Sequence, residues 1–78
     1  MLERPMTEIE RRAALALELY TQFTSYPWQI RRLYKAAYEE KPIPVGFEKY
    51  LWRSILKLQK RIKDPELVNF AVSFQVKG

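Results

Sequence analysis

Apolar positions recur at helical spacing over most of the chain. Between Glu8 and Phe23, the residues Ile9, Ala13, Ala16, Leu17, Tyr20 and Phe23 return mostly every third or fourth position, and a rotation of about 100° per residue sets them on one broad face. Glu10, Ala14, Glu18 and Thr21 fall opposite. Thr7 precedes the pattern as an N-cap, and Glu8 and Glu10 occupy the first turn, where the helix dipole favours carboxylates. A second pattern opens at Ser25-Tyr26-Pro27, with proline near the first helical position, and runs to about Glu40. Its apolar side is Ile30, Leu33, Tyr34, Ala37 and Tyr38; Trp28, Arg31, Arg32, Lys35 and Glu39 share the other side.

The segment Lys41-Pro42-Ile43-Pro44-Val45-Gly46 is a loop, because its two prolines forbid helix continuation. A third helix then spans about Phe47 to Ile62. Phe47, Leu51, Ile55, Leu58 and Ile62 form its core line, and Lys49, Arg53, Lys57 and Lys60 form a basic line, so one face is buried and one is wet. Asp64-Pro65-Glu66 reads as a fresh helix start. The C-terminal residues beyond it fit two structures. Residues 67–77 alternate large apolar with small or polar types and are rich in β-branched and aromatic residues, as in a strand. They also place Leu67, Phe70, Ala71 and Phe74 on one helical side. Helix is preferred, because no other segment offers a strand partner; a strand here would have to pair between molecules. The expectation is an all-α fold: a three-helix core closed by a C-terminal helix or an intermolecular β-strand, in one domain spanning residues 1–78.

Composition narrows the chemistry. The chain has no cysteine and no histidine, which removes disulfides, the usual nucleophile–base pairs and the commonest nitrogen ligand of metals. Ser25, Ser54 and Ser73 have no evident activating base, and the two glycines cannot build a phosphate-binding loop. Eight Glu and one Asp scattered over helix surfaces are solvated charges rather than a tuned catalytic pair. A binding protein without catalysis, cofactor or metal is therefore expected. Met1-Leu2-Glu3-Arg4-Pro5 lacks the apolar run of a signal peptide and no stretch is long enough to span a bilayer, so a cytoplasmic protein with no membrane partner is expected. Scarcity of Asn and Gly, together with the missing Cys and His, leans towards a thermophilic source.

Charge changes the picture most. The net charge is +5, and residues 27–63 carry ten basic side chains against three acidic ones, while both flanks are slightly negative. A positive field concentrated on one segment favours polyanionic partners. The tryptophans sharpen this. Trp28 points with Arg31, Arg32 and Lys35, and Trp52 projects about 100° from the core line of the third helix, with Leu56 one turn on and further round, amid Lys49, Arg53, Lys60 and Lys63. Aromatic rings among cations can stack on bases while the cations neutralise phosphates. The plainer reading is that the C-terminal element covers Trp52 and Leu56, and Trp28 merely seals the start of helix two against the proline-rich loop. A helix–turn–helix fits poorly, since six residues with two prolines separate helices two and three.

Two functions are expected from these residues. In the first, a small basic accessory protein binds nucleic acid or docks in a nucleoprotein assembly, tolerant of sequence and sensitive to salt, through Trp28, Arg31, Arg32, Lys35, Lys49, Trp52, Arg53, Leu56, Lys57 and Lys60. In the alternative, the chain is a protein–protein adaptor or small regulatory subunit, among whose forms is a homodimer, using Trp52, Leu56 and the C-terminal segment; an acidic protein partner would equally suit the positive charge.

Overall fold

The computed structural model describes residues 4–77 and contains, among them, four α-helices and no strand. The helices are α1 (Glu8–Glu18), α2 (Pro27–Tyr38), α3 (Glu48–Lys57) and α4 (Pro65–Lys77), with a short 3₁₀ turn at Thr21–Phe23 between the first two. The all-α expectation holds. The C-terminal segment is helical, which sets aside the strand reading of residues 67–77: Leu67 and Ala71 are buried, and Phe74 packs against the core, so the helical stripe outweighs the alternating one. Its start is built as the sequence implies, with Asp64 Oδ1 accepting from the amides of Glu66 and Leu67 at 3.2 and 3.4 Å.

α1 packs on α2 and α3 packs on α4, and both α1 and α2 touch α3. Ala13, Ala14 and Leu17 of α1 meet Ile30, Leu33 and Ala37 of α2, and Leu51, Trp52 and Ile55 of α3 complete the centre with Leu58, Ile62, Leu67 and Ala71. Ile43 is the loop's one contribution to this core, its amide bonded to the Arg4 carbonyl at 3.0 Å.

Several boundaries differ from the sequence pattern, each for a local reason. α1 stops at Glu18 rather than Phe23. The Thr21 hydroxyl donates to the carbonyls of Leu17 and Glu18 at 3.3 and 3.0 Å, which turns the chain into the 3₁₀ turn and leaves Phe23 on the surface. Glu10 and Ala14, expected on the wet side, are buried. Thr7 and Glu10 form a reciprocal capping box, and the Arg4 guanidinium clamps the Glu10 carboxylate through two bonds of 2.8 and 2.6 Å. α2 ends at Tyr38. The Lys41 amide then reaches the Ala36 carbonyl at 2.9 Å and the Glu40 amide the Ala37 carbonyl at 3.4 Å, a Schellman motif with Glu40 in the left-handed region at φ 55°. Tyr38, expected inside, is exposed and donates to the Glu18 carboxylate. α3 ends at Lys57 rather than Ile62, yet Leu58 and Ile62 stay buried because the turn after the helix wraps back on itself, with the amides of Arg61 and Ile62 both bonded to the Leu58 carbonyl at 2.8 Å.

Candidate functional site

The first turns of α2 and α3 lie side by side, and their aromatic residues form a continuous belt. Trp28 meets the edge of Phe47 at 6.2 Å between ring centroids, Phe47 meets Tyr50 at 5.7 Å, and Tyr50 meets Tyr26 at 4.6 Å. Trp28 ends the belt with 60% of its surface in solvent. Pro27 at the start of α2 and the loop before α3 place these rings, because both helices begin at this end of the molecule.

Cations interleave with the belt. The Arg32 guanidinium sits one turn on from Trp28, 5.4 Å from the centroids of both the Trp28 and Phe47 rings, and the Lys49 ammonium lies 5.3 Å from the Tyr50 centroid. Arg53 and Lys57 continue the row along α3, both exposed; the Lys57 ammonium donates to the Ser25 hydroxyl at 2.6 Å, tying the approach to α2 onto α3. Ser25, Tyr26, Arg53, Ser54 and Lys57 line a shallow cleft of about 190 Å³ beside the belt. A fourth cation–ring pair stands beyond the end of α3, where the Arg61 guanidinium lies 4.4 Å from the Phe23 ring.

The structure thus brings together Trp28, Arg32, Lys49, Arg53 and Lys57. Arg31 and Lys35 lie on the exposed face of α2 and Lys60 in the turn after α3, all in solvent. Trp52 does not join them. It is 1% exposed, with Phe70 and Phe74 of α4 stacked at 4.6 and 6.5 Å between centroids. Leu56 is half-buried against the same core. The expectation that these two stand free on the wet side of α3 is corrected: the buried arc of α3 is widened on one flank by α4, so a residue 100° off the core line is covered. Tyr26, Phe47 and Tyr50 lie outside the expected set. The sequence pattern sets Phe47 on the core line and Tyr26 at a helix approach, and only the adjacency of the two helix starts joins them.

Electrostatics separate two populations of cation. Among the described residues, ion pairs engage Arg4 with Glu10 and Glu48, Arg12 with Asp64 and Glu66, and Lys41 with Glu39. Among the same described residues Arg31, Arg32, Lys35, Lys49, Arg53, Lys57 and Lys60 form none. Burial pushes the Glu10 carboxyl upward, but the Arg4 guanidinium and the Thr7 cap outweigh it and hold its pKa below the ordinary value. The Arg12 guanidinium holds Asp64 low as well, and Lys41 does the same for Glu39. Among the described residues these ion pairs engage Glu10, Glu39, Glu48, Asp64 and Glu66, and none of them involves a cation of the aromatic belt. Among the described residues no acidic cluster is arranged to hold a metal, and no helix is long and apolar enough to cross a membrane.

Comparison with protein-family models, with curated proteins and with solved structures finds no match for this chain. Function is therefore read from the geometry of this face.

Proposed function

We propose that the chain is a non-catalytic, sequence-tolerant nucleic-acid-binding protein whose contact surface is the aromatic–basic face of α2 and α3. One observation carries the reading: an exposed Trp28 and four cations with no carboxylate partner among the described residues, Arg32, Lys49, Arg53 and Lys57, share one surface. An exposed indole offers a flat face on which a base can stack, and unpaired cations gain most from a polyanion that releases its counterions on binding. No residue set that reads base edges in a groove is visible, so affinity is expected to depend little on sequence. The adaptor reading draws on Trp52 and Leu56 as a free apolar pair and on the C-terminal segment; its first support is weaker with Trp52 stacked on Phe70 and Phe74 of α4 and Leu56 half-buried against the core.

The test is charge reversal. Arg53→Glu and Lys57→Glu together replace two exposed cations by anions on the wet face of α3, so the helix content should persist in circular dichroism. Binding to mixed-sequence RNA and DNA, followed by fluorescence anisotropy, should fall below detection at a salt concentration where the parent chain binds. Unchanged affinity in the folded double variant would remove this face from consideration.

A further inference from the structure

Within that reading, we infer that the ligand is single-stranded rather than duplex nucleic acid, with a base stacked on the Trp28 ring and the strand's phosphates following the cations of α3. Three features on this face lead there.

The first is the kind of surface that Trp28 offers. A base exposes its π-face only when it is unstacked; in a duplex both faces of every interior base pair are already covered, and the edges and phosphates that remain give an indole little to bind. Trp28 is 60% exposed, so its ring is open to a flat partner.

The second is that the ring is held ready. Arg32 lies over it at 5.4 Å, and Phe47 braces its edge at 6.2 Å, with Tyr50 and Tyr26 behind. A side chain fixed by its neighbours loses little entropy when a base settles on it. The same contacts hold Arg32 beside the Trp28 and Phe47 rings, within reach of the phosphate next to a base stacked on Trp28.

The third is the line of charge. Lys49, Arg53 and Lys57 follow each other at four-residue intervals on α3, which the rise of the helix spaces about 6 Å apart in a single row. One row of evenly spaced cations leading from an aromatic platform suits one strand, with its phosphates on the row and a base turned onto the ring. Binding of this kind tolerates any sequence, because every base has a π-face.

The experiment uses the full chain and its Trp28→Ala and Trp28→Phe variants, titrated with a labelled unstructured oligonucleotide and with the matching duplex, each as RNA and as DNA. The parent should bind the single strand about tenfold or more tightly than the duplex at equal salt. Trp28→Ala should weaken single-strand binding by roughly five- to a hundredfold, the worth of one stacked base, and leave duplex binding unchanged. Trp28→Phe should recover part of the loss. Intrinsic fluorescence adds an independent readout: binding should quench the parent and leave Trp28→Phe unquenched, because its remaining tryptophan, Trp52, is buried. The unaltered Trp52 emission also certifies that each variant is folded. Equal affinity for both forms, or a Trp28→Ala chain that binds single strands as well as the parent, would overturn this inference and leave the broader reading standing. Failure to bind any nucleic acid at low salt would overturn both.

Discussion

Two tryptophans in one small domain show how much position decides. Trp52 fills the space between α3 and α4 at 1% exposure, and Trp28 stands 60% in solvent. Replacing Trp52 by alanine should cost about 3–5 kcal/mol through lost burial and the cavity left behind. A chain of 78 residues has roughly 4–12 kcal/mol of stability in all, so that variant should be largely unfolded or melt far lower in a thermal scan. Replacing Trp28 should cost only about 1 kcal/mol, the worth of its exposed cation–π contact with Arg32. The residue pattern sets both rings off the core axis and cannot separate them, because what covers Trp52 is a helix whose own pattern is divided between helix and strand. Glu40 is a second case of position over type. It holds the left-handed site that ends α2, where glycine meets no steric penalty, so Glu40→Gly should raise stability by about 1 kcal/mol in a urea titration.

At the scale of elements, the helices themselves are legible in the sequence and their ends are less so. Proline at the start of α2 and Asp64-Pro65 at the start of α4 mark helix beginnings through local chemistry, and both stand where the sequence puts them. The end of α3 carries no glycine or proline; its early termination follows from the return of the chain to place α4, which no local signal records. The core role of Glu10 is equally hidden, since its burial depends on Arg4 reaching across from the N-terminal segment. That clamp leads to a prediction. Glu10→Gln keeps the size of the side chain but removes a charged acceptor from both Arg4 and the Thr7 amide, and should cost about 1.5–3 kcal/mol. Acid should reveal the same groups. Glu10 and Asp64 have folded pKa values below their unfolded ones, so the stabilisation they bring is complete above the ordinary carboxylate range, near pH 4, and is lost as pH falls through their folded values. A melting-temperature profile should fall on the acid side, and the fall should be shallower in Glu10→Gln.

Across the whole molecule, charge is divided by role. Arg4 and Arg12 pair with carboxylates that tie the N-terminal segment to α1 and α3 and tie α1 to the start of α4, Lys41 pairs locally with Glu39, and among the described residues the cations of the aromatic face form no ion pair. The surplus of positive charge between residues 27 and 63 is plain in the sequence; its concentration beside Tyr26, Trp28, Phe47 and Tyr50 is not, because it depends on two helix starts meeting in space. With no histidine in the chain, affinity for a polyanion should stay flat from about pH 6 to about pH 8 at constant salt. The most direct test of the account is the salt dependence of single-strand binding by the unmodified chain, measured by anisotropy. Four phosphates met by Arg32, Lys49, Arg53 and Lys57 predict a slope of log affinity against log salt of about −3, or roughly a fiftyfold loss between about 50 and 200 mM. A slope near zero, or no binding at the lowest salt, would contradict it.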